Sequence, residues 1–200
     1  LVLDPWQDTT VEAWCRRTKR GRWCASTWGI TVARQNGKNG ILEAVELYGM
    51  VVLELRFLHT AHEVKTARKA FKRLQYFFGE KANDPNAKFP ELNALVAEVR
   101  NTNGQEAIIL RSGASIEFVA RSKGSGRGFT VDVLVLDEAQ DLRDEQLEAL
   151  LPTISAAPSG DPVTIYMGTP PTDEALTEGG RGEPFLRVRN GALLGTAKRT

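Results

Sequence analysis

The chain has 200 residues, a formal net charge of +1 at pH 7 and two cysteines, Cys15 and Cys24. The length allows one domain with a buried core, and the near-neutral charge excludes a protein that binds nucleic acid through overall positive charge. Two cysteines are too few for a disulfide framework, and no apolar run approaches the roughly 20 residues that cross a bilayer. We therefore expect a cytosolic, globular protein without a signal sequence or membrane contact. We expect both cysteines to be reduced, with a disulfide between them as the alternative.

The predicted elements alternate between strands and helices in the first half of the chain. A β-rich run at residues 28–33 precedes a helical pattern at 39–53. A strand at 56–61 precedes a helix at 63–78 that carries a continuous apolar stripe. Residues 83–90, rich in Asn, Asp, Pro and Lys, predict a loop.

The second half of the chain continues the alternation. Its predicted features are a hairpin of residues 107–110 and 115–120 that turns at Ser112 and Gly113, a flexible glycine-rich loop at 124–128, a strand at 132–136, a helix at 144–151 that Pro152 ends, and a strand at 162–167. The apolar run at 132–136 is typical of a strand buried on both faces of a parallel sheet. Beyond residue 172 only a strand at 185–188 is predicted. We expect an α/β fold with a mostly parallel central sheet flanked by helices.

Positive charge is concentrated in two segments. The first is residues 16–22, with five Arg and Lys residues in seven. The second lies on the predicted helix at 63–78 and comprises Lys65, Arg68, Lys69, Lys72 and Arg73. Contact with DNA phosphates is one interpretation of this stripe, and a solvated helix face opposite the apolar one is the other.

A segment that could bind phosphate connects the first strand to the first predicted helix. It holds Arg34, Gln35, Asn36, Gly37 and Lys38. Backbone N–H groups at a helix N-terminus attract anions, and a Lys there can reach the β and γ phosphates of a nucleotide. The usual phosphate loop has Gly at the first position and Ser or Thr after the Lys, where this chain has Val32 and Asn39. An ordinary strand-to-helix turn with an exposed Lys is the alternative.

Two carboxylates end the buried strand at 132–136. Asp137 and Glu138 would lie where ligands bind in open α/β sheets. Asp137 is then predicted to hold Mg²⁺, and Glu138 to activate the attacking water as a general base. The alternative is that both residues begin a helix, as cap and first-turn acid.

Three further residues are candidates for nucleotide contact. The hydroxyl of Thr169, in Gly168-Thr169-Pro170 at the end of another buried strand, could sense the γ-phosphate or the catalytic Glu, although a turn closing a strand is the alternative. Trp6 and Gln7 could stack on adenine and hydrogen-bond to it, or Trp6 could be a buried anchor of the N-terminal segment. We interpret His59 and His62 as structural, because no acidic or Cys neighbour stands at ligand spacing.

Together these segments resemble the large terminase subunit of tailed double-stranded DNA bacteriophages, a P-loop motor ATPase of the ASCE type. The resemblance spans nearly the whole chain. Residues 4–7 look like the family's adenine-recognition segment, 32–39 like its divergent Walker A motif, 133–138 like its Walker B motif and 168–170 like its coupling motif. Asn39 departs from the usual Ser or Thr. A carboxamide oxygen can still ligate Mg²⁺, but weaker metal binding or slower hydrolysis would follow.

The resemblance implies ATP hydrolysis with Mg²⁺ that drives double-stranded DNA into a procapsid in the host cell cytoplasm. It also implies a homo-oligomeric ring, or a monomer when isolated, with the portal protein and the small terminase subunit as partners. Residues 1–200 would form the ATPase domain, with 172–200 beginning a lid or linker, and the family's nuclease domain would be absent from this chain. Arg127 resembles an arginine finger that acts on a neighbouring subunit's nucleotide. Arg34 is the rival finger within the same subunit, and a surface Arg in a glycine loop is the other alternative.

Two alternative functions share these motifs. An Asp-Glu-box helicase has the same Gln, Lys and Asp-Glu elements, although the residues at 34–38 resemble terminases more closely. A nucleotide-binding scaffold with little turnover is suggested by Asn39. ATPase activity with Mg²⁺ would separate the scaffold from the two enzymes, and strand displacement would separate the helicase from the packaging motor.

Overall fold

The computed structural model describes residues 2–122, 126, 128–173, 176 and 180–196. The strands are β1 Thr27–Thr31, β2 Arg56–Ala61, β3 Val96–Arg100, β4 Glu106–Leu110, β5 Ser115–Ala120, β6 Val133–Leu136 and β7 Val163–Gly168. The helices are α1 Pro5–Trp14, α2 Lys38–Val51, α3 Val64–Phe78, α4 Pro90–Ala94, α5 Asp144–Leu150 and α6 Glu183–Leu193. Short 3₁₀ turns occupy Ala139–Asp141 and Leu151–Ile154.

The seven strands form one sheet in the order β1-β7-β6-β2-β5-β4-β3. The first five strands of this order are parallel, and β4 and β3 extend the sheet in antiparallel fashion. The carboxyl ends of the five parallel strands therefore meet at one edge. Because β7 lies between β1 and β6, the segments that follow β1 and β6 are about 10 Å apart, two strand spacings. This is the mostly parallel, helix-flanked P-loop-type sheet predicted from the sequence.

Alternating side chains of the central strands build a core on each face of the sheet. Val133 and Val135 of β6 pack with α2 and α3, whereas Leu134 and Leu136 pack with α5 and α6 on the opposite face. The continuous apolar run of β6 is thus explained by burial on both faces. Helices cover both faces of the sheet.

The C-terminal segment corrects one prediction. Residues 185–188 were expected to form a strand, but they lie in α6. Pro184 is in the first turn of this helix, where its missing N–H costs nothing, and the apolar Phe185 and Val188 are three residues apart on its inward side. The short apolar segment was compatible with either element, and its spacing fits the helix.

Three elements were not predicted. α1 is largely polar and lacks a strong apolar stripe, although Asp4 and Pro5 are typical of a helix start. β3 is an edge strand with mostly exposed side chains, and α4 has only five residues. In the described ranges, no helix has the length and apolar composition needed to span a membrane.

Candidate active site

The phosphate-loop candidate connects the end of β1 to the start of α2. Gln35 and Gly37 have positive φ angles of 63° and 71°, which turn the chain so that α2 begins at Lys38. The N–H of Val32 donates to the carbonyl of Gly168 at 3.2 Å, which fixes the loop beside the end of β7. The loop therefore leads into the N-terminus of a 14-residue helix, where N–H groups and the helix dipole favour an anion.

Gln7 ties α1 to this loop. Its buried amide donates from Nε2 to the carbonyl oxygen of Gly37 at 2.7 Å and accepts the N–H of Asp4 at 2.7 Å. A Cβ at position 37 would lie 2.7 Å from Gln7 Nε2, so Gly37 allows both the turn and this close approach. The Gln7 amide, which was predicted to bind adenine, therefore also makes hydrogen bonds to the backbone at Gly37 and Asp4.

Asp137 lies buried directly beyond β6. Its N–H donates to the carbonyl of Thr60 at 2.9 Å, and its carboxylate accepts the N–H of Glu138 at 2.8 Å. Burial alone would raise the pKa of this carboxyl, but the imidazole of His59 and the charge of Lys38 hold it below its usual value. Lys38 and Asp137 thus act on each other electrostatically.

Glu138 has an unusual backbone conformation for a residue with a side chain. Its φ of 52° and ψ of 46° place it in the left-handed region. The hydroxyl of Thr66, in the first turn of α3, donates to its Oε1 at 3.2 Å. The other oxygen, Oε2, is buried without a hydrogen-bond partner among the described residues. A carboxylate with one oxygen held and the other available suits a base that must accept a proton from water.

His59 joins the two halves of the site through a buried polar cluster. Its Nδ1 lies 2.6 Å from Oε1 of Glu46 on α2, and its Nε2 lies 3.9 Å from Oδ2 of Asp137. Burial would lower the pKa of His59, but the carboxylates of Glu46 and Asp137 raise it to about 9. At neutral pH the ring is a buried cation between two acids.

This connection could not be predicted from spacing, because the partners of His59 are not its neighbours along the chain. Glu46 lies 13 residues before His59 and Asp137 lies 78 residues after it. One signal was present: Glu46 follows Val45 and stands four residues after Leu42, so it falls on the buried face of α2. A buried Glu requires a partner.

Arg121 was also missed. It follows β5 directly and is almost fully buried. Its guanidinium donates to the carbonyls of Asp137 at 2.5 Å, Glu138 at 3.0 Å and Thr60 at 3.1 Å. Burial lowers the pKa of Arg121 to about 10, against the opposing charges of nearby carboxylates, so the side chain remains a cation at neutral pH.

Thr169 lies at the same edge of the sheet, after β7. Its N–H donates to Oε1 of Gln140 at 3.1 Å, and Gln140 lies in the 3₁₀ turn that follows Glu138. A Cβ at Gly168 would come within 2.6 Å of the same Gln140 oxygen. The absence of a side chain at Gly168 therefore allows the close contact between the Thr169 segment and the turn after Glu138.

The remaining predicted site residues occupy different surroundings. Arg34, Gln35 and Asn36 are exposed on the loop, and Asn39 is half-buried in the first turn of α2. Trp6 is exposed on α1, so it is not a buried anchor of the N-terminal segment.

Arg127 lies outside the described residues, and its role as an arginine finger stays a prediction. Two glycines beside it are described. Gly126 is buried, and a Cβ there would lie 2.1 Å from the carbonyl oxygen of Ala149, so glycine is required for close packing against α5. Gly128 has a φ of 88°. Gly126 thus permits close packing and Gly128 permits a turn.

The two segments rich in Arg and Lys, residues 16–22 and the basic side chains of α3, make different contacts. Residues 16–24 form a small hairpin in which Arg17 lies 3.1 Å from the centroid of the Trp23 ring, and Asp161 accepts the Trp23 N–H at 2.7 Å. On α3, Arg73 pairs with Glu43 at 2.9 Å and Lys72 donates to Gln75 at 2.6 Å. Lys65, Arg68 and Lys69 are exposed.

The donor set fits a metal bound together with a nucleotide. No group of three or more His, Cys, Asp or Glu residues in the described part of the chain could hold a metal ion by itself. Mg²⁺ is commonly bound through one or two protein oxygens, with substrate phosphates and water as its other ligands. Asp137 and Asn39 would supply such oxygens beside Lys38.

Comparison with solved structures places this fold among phage terminases. The crystal structure of the HK97 bacteriophage large terminase matches 98% of this chain with a TM-score of 0.75 and 17% sequence identity, and 38% of that protein is covered. A large terminase ATPase domain from a Thermus phage matches 76% of the chain, with a TM-score of 0.54, 19% identity and 62% of that domain covered. A large terminase from a thermophilic bacteriophage in complex with ADP matches 84% of the chain, with a TM-score of 0.53, 13% identity and 39% of that protein covered.

The chain therefore spans about two fifths of the length of the HK97 protein and has the same fold over that part. No protein-family model and no curated protein sequence matches the chain.

Proposed function

We propose that this chain, which has the fold of phage large terminase ATPase domains, is the ATPase domain of a viral DNA-packaging motor. The observation that supports ATP hydrolysis is the meeting of three groups at one edge of the sheet. Lys38 begins the helix after β1, and its charge lowers the pKa of the buried Asp137 after β6. Glu138 adjoins Asp137, and its buried Oε2 has no hydrogen-bond partner among the residues that the structure describes.

In this proposal the loop between β1 and α2 binds the phosphates of ATP. The N–H groups at the start of α2 and the ammonium of Lys38 contact the phosphate oxygens. Asp137 and Asn39 hold Mg²⁺ together with those oxygens. The metal, when bound, neutralises charge that develops on the transferred phosphoryl group. Trp6, exposed on α1, provides a ring for adenine to stack on, close to the loop that Gln7 holds.

Glu138 is proposed to act as the general base. The Thr66 hydroxyl holds Oε1, which leaves Oε2 to accept a proton from water. The water oxygen forms a bond to the γ-phosphorus as the bond to the β-phosphate oxygen breaks, and the products are ADP and inorganic phosphate. Thr169, connected through Gln140 to the turn after Glu138, would report whether the γ-phosphate is present.

The coupling to DNA rests on the shared fold and is the broader part of the proposal. We propose translocation of double-stranded DNA into a procapsid by a ring of these subunits in the host cytoplasm, docked on a portal protein and supplied by a small terminase subunit. Residues 1–200 would be the ATPase domain, with a lid or linker beginning near 172. Arg127, or in its place Arg34, would supply the arginine finger.

The test is phosphate release from MgATP by the full-length protein and by its Lys38→Ala variant. Lys81→Ala, which removes an exposed Lys after α3, is the matched control. We expect hydrolysis by the parent and the control, and its loss in Lys38→Ala, because the charge-assisted phosphate contacts disappear. Undiminished hydrolysis by Lys38→Ala would contradict the phosphate-loop assignment.

Strand displacement without duplex translocation would favour the helicase alternative, and absence of turnover by the parent would favour the nucleotide-binding scaffold.

A further inference from the structure

We infer that Arg121 is a positioning residue for the catalytic base: its guanidinium holds the backbone at Asp137 and Glu138 so that the Glu138 carboxylate faces the nucleotide. The inference rests on the proposed function, since it assigns a task to Arg121 only if Glu138 acts on water. It concerns a side chain that the sequence analysis did not select.

The geometry begins with the order of the strands. β2 lies between β5 and β6, and all three end at the same edge of the sheet. Arg121 follows β5, and its own N–H donates to the carbonyl of Ala61 at 2.8 Å, which keeps its backbone in line with β2. From that position the side chain extends across the end of β2 to the turn after β6. It contacts Thr60 on the way, through the carbonyl at 3.1 Å and the hydroxyl oxygen at 3.4 Å.

The two terminal nitrogens of the Arg121 guanidinium bind successive carbonyl oxygens of the turn after β6. Nη1 donates to the carbonyl oxygen of Asp137 at 2.5 Å, and Nη2 donates to that of Glu138 at 3.0 Å. The N–H of Glu138 is held separately by the Asp137 carboxylate at 2.8 Å. The Glu138 carbonyl also accepts the N–H of Asp141 at 3.0 Å, within the following 3₁₀ turn. The Arg121 guanidinium therefore contacts the carbonyls on both sides of the Glu138 N–H and supports the backbone conformation of Glu138.

The left-handed backbone conformation of Glu138 must be stabilised by surrounding contacts. Glu138 has a φ of 52° and a ψ of 46°, a region that residues with a Cβ seldom occupy and that persists where surrounding contacts impose it. The left-handed turn directs the side chain to Thr66 on α3 rather than along the path of the following 3₁₀ turn. An extended or right-handed residue at 138 would direct the carboxylate elsewhere.

Arginine suits this task better than other side chains. Its planar fork carries donors in fixed directions and can bind two carbonyl oxygens at once, while it stays charged when buried. Lysine is shorter and carries a single nitrogen, so it can keep the charge but not the same pair of contacts. A purely electrostatic role would be preserved by Lys, whereas a positioning role requires the fork.

The test compares Arg121→Met and Arg121→Lys in the full-length protein, with Arg100→Met as the matched control. Arg100 is an Arg on the edge strand β3, where it pairs with Glu98 away from the site. The measurements are nucleotide affinity, kcat for MgATP and thermal unfolding. We expect affinity within about threefold of the parent in all variants and a fall in kcat of about 10²-fold in Arg121→Met, because a base displaced by about 1 Å loses that much rate. The kcat of Arg121→Lys should lie between that of the parent and that of Arg121→Met. The kcat of Arg100→Met should match that of the parent.

A double variant separates positioning from a general structural role. If Arg121 acts through Glu138, then Arg121→Met should cause no further loss of kcat in a Glu138→Gln background. Losses that multiply, or an unchanged kcat in Arg121→Met, would overturn the inference. If Arg121→Met does not fold, Arg121→Lys decides by the same criteria, and failure of both to fold would overturn it by assigning Arg121 to the fold itself.

The outcome also distinguishes this inference from the proposed function. A parent without MgATP hydrolysis, or a fully active Glu138→Gln, would contradict the function. An active parent with an inactive Glu138→Gln and a normal Arg121→Met would contradict the role of Arg121 alone.

Discussion

The side-chain amide of Gln7 donates a hydrogen bond to the carbonyl oxygen of Gly37 at 2.7 Å, which links α1 to the loop between β1 and α2. Gln7→Met removes this bond at similar side-chain length. A buried hydrogen bond contributes about 1 kcal/mol, which corresponds to about fivefold in affinity. If Gln7 acts on the loop, KM should rise about equally for ATP and GTP, with Gln105→Met at an exposed position as the control. Loss of discrimination between ATP and GTP would instead show that Gln7 reads adenine.

Asn39→Ser tests the residue that departs from the usual phosphate loop. Asn39 lies in the first turn of α2, next to Lys38. A hydroxyl is smaller and is the usual ligand at this position, so we expect Asn39→Ser to bind MgATP at least as tightly as the parent. Titration with MgATP at limiting Mg²⁺ measures the effect, with Asn86→Ser on an exposed loop as the control. Clearly weaker binding would show that the amide has a role the hydroxyl cannot fill.

Thr169→Val removes a hydroxyl while it keeps the shape of the side chain. The backbone contact between the Thr169 N–H and Gln140 should survive, so nucleotide should still bind. Turnover or DNA movement should fall, because the hydroxyl no longer reports the state of the γ-phosphate. Thr169→Ser restores the hydroxyl and should recover activity. DNA packaging at the parental rate by Thr169→Val would reduce residues 168–170 to a structural turn.

His59 predicts a pH dependence of stability in the metal-free protein. Its pKa is raised from 6.5 to about 9 in the folded chain, against the effect of burial, by Glu46 and Asp137. A raised pKa means that the folded state binds the proton more tightly than the unfolded state. The resulting stabilisation is complete below pH 6.5 and disappears as the pH rises through 9. This pKa shift corresponds to about 3 kcal/mol in the free energy of unfolding.

Denaturant unfolding between pH 6 and 10 measures this contribution as the difference between the parent and His59→Gln. The difference should shrink as the pH rises, and His62→Gln should not reproduce the change. A difference that stays constant across this range would mean that folding does not raise the pKa of His59.

The sequence was sufficient to predict the central strands and the loop that connects the first strand to the first predicted helix. The apolar run before Asp137 predicted a buried strand, and the predicted loop between the first strand and helix is present at 32–37. Both signals are local, since they depend on apolar spacing and on residues adjacent in the chain. The roles of Lys38, Asp137 and Glu138 remain predictions, although the fold brings all three to one edge of the sheet.

The contacts that organise the site could not be predicted in the same way. Arg121 reaches Glu138 because β5, β2 and β6 are neighbours, an order that a single sequence does not specify. The proximity of His59 to Asp137 likewise depends on the register of β2 against β6, in which His59 pairs with Val135. The left-handed backbone of Glu138 has no sequence signal, because glycine or asparagine would be expected in that conformation.

The most direct test of the central claim is nucleotide binding and hydrolysis by Glu138→Gln in the full-length protein. The variant keeps the size and polarity of the side chain but cannot accept a proton from water. We expect MgATP affinity like that of the parent and a kcat lower by about 10²-fold or more, with the exposed Glu91→Gln as an active control. Hydrolysis at the parental rate, or lost nucleotide binding with an unchanged rate per bound site, would contradict the assignment of Glu138 as the base that activates water.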